Sequence, residues 1–173
     1  MSRTSAFFSL FTAFLVGLVG HAHAERSVHR PWFSAARTES VRPPVENPKS
    51  FGRRLARVAL RYKGARYRFG KASKKAMDCS GLVTRAYQDM KSKKLPHSSS
   101  ALYRMGKPIK MSELRAGDLV FFKNTYRKGI SHVGVYTGGN RFVHARNRRF
   151  GVTVTKLSDP YFQLHYAGAR RLL

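Results

Sequence analysis

One stretch decides the fold class of the chain: Asp78-Cys79-Ser80-Gly81-Leu82-Val83-Thr84-Arg85-Ala86-Tyr87-Gln88-Asp89-Met90. Its apolar side chains recur at i, i+3, i+4, i+7, i+8 and i+11, which is the spacing of one helix face. Asp78 has the short polar side chain that caps a helix N-terminus. The pattern therefore predicts an amphipathic helix that begins after Asp78 and carries Cys79 on the buried side of its first turn.

A second helix is predicted before this stretch and a set of strands after it. Apolar residues at helical spacing run from Phe51 to Tyr62, with arginines on the outer face, and Gly64 ends the pattern. Segments rich in β-branched and aromatic residues then alternate with glycine turns. These predicted strands cover residues 119–123, 131–137, 141–145, 152–156 and 165–170. Helices followed by consecutive strands predict an α+β fold, with N-terminal helices packed on a central antiparallel sheet.

The N-terminal region has the composition of an export signal followed by a tether. Residues 1–24 carry Arg3, an apolar run and the small-x-small pattern Ala22-His23-Ala24, which predict a cleaved signal peptide. An uncleaved membrane anchor is the alternative. Residues 25–50 hold four prolines among charged residues and read as a flexible basic tether, which leaves 51–173 as one domain. The signal contains no cysteine, so we expect a soluble periplasmic or envelope protein that is not a lipoprotein.

The charge of the domain points to anionic partners. Residues 51–173 contain 28 Lys and Arg against five carboxylates, a net charge of +23. Such a surface attracts polyanions, and for an exported protein the candidates are anionic envelope polymers and acidic lipids. Nucleic acid is disfavoured, because the aromatic residues follow core periodicities and do not alternate with the basic runs. The remaining explanation is that the charge serves only to keep the protein soluble.

Cys79 is the only cysteine. In an oxidising compartment it is buried filler, an intermolecular link or a nucleophile. Its place at a helix start would supply N–H groups that lower the thiol pKa, and a nearby histidine would supply a base.

Two strand histidines can act together with this thiol. His132 and His144 lie on consecutive predicted strands joined at Gly138-Gly139-Asn140. A three-residue loop over 137–139 would place the two histidines directly opposite each other on one face, so that one imidazole orients the other. A two-residue Gly-Gly loop would send them to opposite faces. In the first register Gly134, beside His132, would leave room for the helix that carries Cys79.

These motifs resemble those of a known family, the NlpC-type cysteine peptidases of bacterial cell walls, which have a reduced papain-like fold. The resemblance covers residues 51–173 and rests on five stretches. They are Gly64-Ala65-Arg66-Tyr67-Arg68-Phe69-Gly70, Asp78-Cys79-Ser80-Gly81-Leu82-Val83, Leu114-Arg115-Ala116-Gly117-Asp118-Leu119-Val120-Phe121-Phe122, Ser131-His132-Val133-Gly134-Val135-Tyr136 and Arg141-Phe142-Val143-His144-Ala145. The order Cys, His, His is that of the peptidase branch, whereas the acyltransferase branch of this superfamily is permuted.

The resemblance implies a role for each matched residue. It implies Cys79 as nucleophile, His132 as general base and acid, and His144 as the group that orients His132. Tyr67 would serve the oxyanion site, and Asp78 and Ser80 would line the substrate cleft. Each of these three also has a structural explanation: core packing for Tyr67, a helix cap for Asp78 and a first-turn position for Ser80. Gly70-Lys71 and Ser98-Ser99-Ser100 depart from the commoner family pattern at the cleft rim.

The C-terminal run from Asp159 to Leu173 is most similar to the Spr-type (MepS-type) branch of murein endopeptidases. This similarity implies a peptidoglycan stem peptide or its cross-link as substrate, and we expect the D-alanyl–diaminopimelate bond to be cut. The D-glutamyl–diaminopimelate bond is the alternative within the family, and a wall-binding module without turnover is the alternative outside it. Nothing in the sequence predicts a metal site or a cofactor.

Overall fold

The computed structural model describes residues 47–172. Helix α1 spans Pro48–Leu60, and the side chain of Asn47 caps it by accepting a hydrogen bond from the N–H of Lys49. Residues 48–50, assigned to the tether by the sequence, therefore belong to the first turn of α1. Proline suits this position because its missing N–H would be unpaired there in any case. The proposed signal peptide and residues 25–46 of the tether lie outside the described part of the chain.

The predicted helix after Asp78 is present as α2, Cys79–Lys91. It is preceded by two short parallel strands, β1 at Arg66–Tyr67 and β2 at Ala76–Met77. A short helix α3 covers Ser99–Tyr103.

A six-stranded antiparallel sheet forms the centre of the domain, in the order β3-β8-β4-β5-β6-β7. Its strands are β3 at Lys107–Ile109, β4 at Leu119–Lys123, β5 at Ile130–Gly138, β6 at Arg141–Ala145, β7 at Val152–Lys156 and β8 at Tyr166–Arg171. The expected α+β architecture with an antiparallel sheet is confirmed. β3 was not predicted, and β8 pairs between β3 and β4.

The chain before β8 folds as a helix where the sequence indicated only a break. α4 spans Pro160–His165, with Asp159 as its cap and Pro160 at its first position. His165 was predicted to begin the last strand and is instead the last residue of this helix, where its Nδ1 lies 2.8 Å from the carbonyl oxygen of Lys123. Phe162 on α4 is buried against the sheet.

The two faces of the sheet carry separate apolar clusters. One cluster joins α1 and α2 to alternate strand residues such as Phe121, Val133 and Val135. The other packs Phe122 and Phe142 against Phe162 of α4. Burying side chains of this size stabilises the fold by about 1.5–3 kcal/mol each. No helix within residues 47–172 has the length and apolar character needed to cross a lipid bilayer.

Candidate active site

Asp78 holds the start of α2 and the loop before it. Its Oδ1 accepts hydrogen bonds from the N–H of Gly81 at 2.7 Å and from the hydroxyl of Ser80 at 3.0 Å. Its Oδ2 accepts from the N–H of Gly70 at 2.7 Å. The ring of His97 also reaches Oδ1, at 2.9 Å. The carboxylate is therefore a helix cap, as the sequence predicts, and it also ties three separate segments together.

The thiol of Cys79 lies against the start of β5. Its Sγ is 4.0 Å from the carbonyl oxygen of Ser131, and the side chain is 3% exposed. The backbone N–H of Val133 interacts with the same sulfur. The thiol thus contacts the backbone of Ser131 and of Val133, the residues on either side of His132.

The pKa of this thiol differs from the expectation. Burial raises the pKa of Cys79 to about 12, and the Asp78 carboxylate adds to the rise. The N–H groups of Val133, Ser80 and Cys79 itself act in the opposite, predicted direction. Because burial outweighs these donors, the prediction of a lowered thiol pKa is wrong for the protein without substrate.

His132 and His144 lie in direct contact. Nε2 of His132 is 2.7 Å from Nδ1 of His144. The predicted register is nevertheless wrong by two residues, because Val135 pairs with Val143 and Tyr136 with Phe142, which places Gly134 opposite His144. A shift of two keeps every side chain on its own face, so the histidines still meet, diagonally across the two strands.

The hairpin reaches this register through a bulge. Gly138 pairs with Arg141, so the loop consists of Gly139 and Asn140, and the register shifts between Tyr136 and Gly138. An added Cβ at Gly134 would lie 2.5 Å from the ring of Phe142 and 3.2 Å from Cβ of His144. Gly134 therefore makes room for Phe142 and His144, and not for the helix that carries Cys79.

A second bulge positions His132 itself. Phe122 pairs with His132 and Lys123 with Ile130, which leaves Ser131 as the extra residue on β5. Bulges of this kind redirect the neighbouring side chain. The hydroxyl of Ser131 also lies 2.9 Å from the N–H of Thr125, so the bulge anchors the β4–β5 loop.

The histidine pair continues to Thr155 on β7. Nε2 of His144 is 2.9 Å from Oγ1 of Thr155. Two assignments of protons satisfy both contacts. In the one that leaves Nδ1 of His132 free to act as a base, His132 donates Nε2–H to Nδ1 of His144, and His144 donates Nε2–H to Thr155. Nδ1 of His132 is then unprotonated and is the ring nitrogen left for a reaction partner. Thr155 was not singled out from the sequence, although it lies in a correctly predicted strand.

Aromatic rings surround both imidazoles. The ring of Phe162 is centred 5.0 Å from that of His144 and 6.2 Å from that of His132, and Phe142 is 4.5 Å from His144. This burial lowers the pKa of His132 to about 4 and holds the pKa of His144 well below its usual range. Both rings are therefore neutral at pH 7, which is the state that a general base requires.

Two tyrosines lie near the thiol. Tyr67 is half-buried, and burial, followed by the charges of Cys79 and Asp78, raises its pKa to about 12. Its hydroxyl thus stays protonated and able to donate at neutral pH. Tyr126, in the β4–β5 loop, is 55% exposed, interacts electrostatically with Cys79 and meets Phe69 edge-on at 6.4 Å. The sequence analysis did not identify Tyr126.

The cleft consists of two pockets that share Tyr126. The first is lined by Asp78, Ser80, His97, Ser98 and Ser99, together with Phe69, Gly70 and Arg127. The second, of about 340 Å³, is lined by His132, Arg146, Asn147, Tyr161, Phe162, Thr125 and Tyr126. Ser80 and Asp78 therefore lie in the wall of the first pocket, although Asp78 is largely occupied by its own hydrogen bonds. His97 and Arg146 are wall residues that the sequence analysis did not single out.

Most of the described chain matches known proteins. A model of the NlpC/P60 family matches residues 64–171. Murein DD-endopeptidase MepS/murein LD-carboxypeptidase of Escherichia coli K12 is 43% identical over 114 residues, which cover 65% of this chain and 58% of that protein. Gamma-DL-glutamyl hydrolase of Bacillus subtilis is 38% identical over 118 residues, which cover 68% of this chain and 28% of that enzyme.

Solved structures agree with these matches. An NLP/P60 family protein of Staphylococcus aureus superposes with a TM-score of 0.64 at 38% identity, covering 75% of this chain and 44% of that one. The NlpC/p60 domain of the peptidoglycan hydrolase SagA gives a TM-score of 0.61 at 25% identity, covering 69% of this chain and 97% of the domain. The reduced papain-like fold expected from the motifs is confirmed.

Proposed function

Because the chain belongs to the NlpC/P60 family, we propose that it is an exported cysteine endopeptidase that hydrolyses peptidoglycan stem peptides. Cys79 is the nucleophile, His132 the general base and acid, and His144 the group that orients His132. The observation that carries this proposal is the 2.7 Å contact between the two imidazoles, next to a thiol at a helix start. Relatives named as murein endopeptidases support the substrate class.

The reaction follows from which ring nitrogen is available. As Sγ of Cys79 attacks the carbonyl carbon, Nδ1 of His132 takes the thiol proton, and His144 stabilises the resulting imidazolium. The hydroxyl of Tyr67 and the N–H of Cys79 donate to the oxyanion. Collapse breaks the C–N bond, and His132 returns its proton to the leaving amine. His132 then takes a proton from water, and the resulting hydroxide attacks the thioester carbon. The C–S bond breaks, His132 returns the proton to Cys79, and the acyl product leaves as a carboxylate after it loses its own proton to solvent.

The bond we propose is the D-alanyl–diaminopimelate cross-link. The E. coli relative with 43% identity is named a DD-endopeptidase, which supports this choice. The B. subtilis relative is named a gamma-DL-glutamyl hydrolase, so the D-glutamyl–diaminopimelate bond is the competing site. Cleavage at that bond would leave the proposed catalytic residues unchanged and would change only the proposed substrate bond.

Export is part of the same proposal. Residues 1–24 act as the signal, the mature chain begins near Glu25, and residues 25–46 tether the domain in the periplasm or cell envelope. N-terminal sequencing of the mature protein tests this point. An N-terminus still at Met1 in the envelope fraction would contradict cleavage and favour an uncleaved anchor.

The decisive experiment digests purified sacculi with the full chain and with Cys79→Ala, followed by mass spectrometry of the released muropeptides. We expect Cys79→Ala to abolish release while circular dichroism shows a folded protein. His132→Ala is expected to do the same, whereas His165→Ala, which removes a histidine outside the triad, keeps most of the activity. Full activity of Cys79→Ala would end the proposal. No release by the unaltered protein would favour a wall-binding module.

A further inference from the structure

The histidine pair determines on which side of the thiol the leaving group lies. His132 must deliver a proton to the leaving amine, so the part of the substrate that departs lies against His132. Of the two pockets in the cleft, the one of about 340 Å³ contains His132 in its wall. This pocket therefore holds the residue that contributes the amine of the scissile bond, and the pocket beside Asp78 holds the acyl part.

Arg146 is the cationic side chain of the leaving-group pocket. Its guanidinium carbon lies 4.7 Å from the ring centre of Phe150 and 5.6 Å from that of Phe162. Stacking on aromatic faces holds a guanidinium in place and leaves its N–H edge free to bind an anion. Phe162 is buried, so one side of this arrangement is part of the core.

The backbone around Arg146 is also fixed. The N–H of Arg146 donates to the carbonyl oxygen of Gly151 at 2.8 Å, and the N–H of Gly151 donates to that of Asn147 at 2.8 Å. The side chain of Asn147 accepts from the N–H of Phe150. This turn fixes the backbone of Arg146, and the two aromatic rings restrict its side chain, so less conformational entropy is lost when an anion binds.

Arg146 has no acidic partner within the described part of the chain. The carboxylates that form salt bridges there, Asp78, Asp89 and Asp118, pair with His97, Arg85 and Arg171. A half-buried guanidinium without a carboxylate, in the wall of a binding pocket, is a site prepared for an anionic group of the substrate.

We propose that Arg146 binds a free carboxylate on the residue that leaves, adjacent to the nitrogen of the scissile bond. This inference rests on the proposed function and specifies its substrate. In an internal stretch of a linear peptide the carboxyl next to that nitrogen is tied up in the following amide bond. It is free when the leaving residue is C-terminal, or when the amine belongs to a second amino acid centre in a side chain.

Diaminopimelate in a peptidoglycan cross-link meets this condition. The amine that joins D-alanine shares its carbon with a carboxylate, which remains free. At the D-glutamyl–diaminopimelate bond of a tetrapeptide, the carboxyl next to the nitrogen is amide-bonded to the following alanine. Arg146 therefore favours cleavage of the cross-link over cleavage within the stem.

Carboxylate binding at Arg146 would also act on the base. The Arg146 guanidinium is one of the groups that lower the pKa of His132, after burial. A substrate carboxylate paired with Arg146 offsets this positive charge, so His132 becomes more basic when the correct leaving group is present. Binding of the leaving residue and proton transfer are thereby linked.

The test compares two cross-linked muropeptide dimers that differ only in the carboxyl next to the scissile nitrogen, free in one and amidated in the other. For the unaltered protein we expect amidation to lower kcat/KM about 10- to 100-fold, the range for a charge-assisted hydrogen bond. Arg146→Gln should lose a similar factor on the free dimer and respond little to amidation. Arg146→Lys should lie between them. Arg141→Gln removes the same charge from the other end of β6 and should behave like the unaltered protein.

The same comparison is made by calorimetric binding in the Cys79→Ala background. This arm tests the inference even if no turnover is seen, so failure of the proposed function remains distinguishable from failure of the inference. A difference in affinity between the two dimers that disappears with Arg146→Gln supports the inference. Equal sensitivity to amidation with and without Arg146, in both arms, overturns it.

Discussion

At the scale of single residues, burial favours the neutral forms of both the proposed nucleophile and the proposed base. Burial raises the pKa of Cys79 to about 12 and lowers the pKa of His132 to about 4. The protonated thiol and the unprotonated imidazole are therefore the predominant forms between these values. In the proposed reaction the thiolate therefore forms when His132 takes the proton of Cys79 during attack.

This state predicts an unusual pH dependence. kcat/KM on the muropeptide dimer should rise as His132 loses its proton near pH 4 and then stay flat through neutrality, whereas an unperturbed imidazole would give a midpoint near 6.5. A pH–rate profile measures this midpoint. An acid limb centred near 6.5 would mean that His132 is more exposed to water than the structure indicates.

The control for that profile is stability. Between pH 6.5 and about 4 the unfolded chain binds protons that the buried His132 and His144 do not, so stability falls as the pH drops through this window. The loss for His132 alone is roughly 3 kcal/mol. Circular dichroism at each pH therefore has to show that the protein is folded where rates are compared.

At the scale of secondary structure elements, the site is a relay across three adjacent strands. His132 on β5 contacts His144 on β6, which contacts Thr155 on β7. We expect Thr155 to be a positioning residue, because its hydroxyl can accept the Nε2–H of His144 in the proton assignment that leaves Nδ1 of His132 free.

Thr155→Val tests the relay while conserving shape. We expect kcat to fall about 10-fold, as for loss of a side chain that orients a ligand histidine, with KM little changed. Thr155→Ser should restore most of the rate, because it keeps the hydroxyl. Steady-state kinetics on the same dimer provides both values. If valine and serine were equally slow, packing of the methyl group and not the hydrogen bond would be responsible.

Local patterns predicted most of these elements but not how the strands are aligned. The apolar stripe after Asp78 and the alternation around residues 119–156 are properties of consecutive residues, so α2, β4, β6 and β7 have their predicted bounds. The bulges at Ser131 and near Thr137 depend on pairing between strands, which one strand does not encode. The two histidines still lie on the same face of the sheet, as predicted. The register error is two residues, and a shift by an even number leaves every side chain on its own face.

Burial also explains what the sequence could not reveal about the site. The helix start was expected to lower the pKa of Cys79, and its N–H groups do so, but the surrounding core decides the net direction. Thr155, Tyr126 and Arg146 become neighbours of the triad only when β7, the β4–β5 loop and the turn after β6 converge. In the sequence, nothing about their residue types distinguishes these three from many other polar or aromatic positions.

At the scale of the whole molecule, positive charge dominates. The domain has a net charge of +23, and two of its five carboxylates, Asp89 and Asp118, are already paired with Arg85 and Arg171. The outer face of α1 adds Arg53, Arg57 and Arg61, all exposed. For the proposed substrate, we expect the carboxylates of the stem peptides to attract this surface over long range.

The corresponding prediction concerns salt. Binding of Cys79→Ala to sacculi should weaken by roughly 10-fold when salt rises from about 0.05 M to about 0.5 M, because exposed charges are screened. A variant with Arg53, Arg57 and Arg61 changed to Gln should bind sacculi less tightly but cleave the soluble dimer at the normal rate. Co-sedimentation measures the binding. Retention that is constant across the titration would exclude electrostatics as its cause.

The nearly closed surface over Cys79 bears on how the protein could be inhibited. Because Cys79 is 3% exposed, we expect small electrophiles to reach its sulfur more readily than bulky ones. An inert thiol at rest also gives little reaction with general alkylating agents. A selective covalent inhibitor would therefore combine a weakly reactive electrophile with a carboxylate that binds Arg146. Common thiol reagents have no such carboxylate.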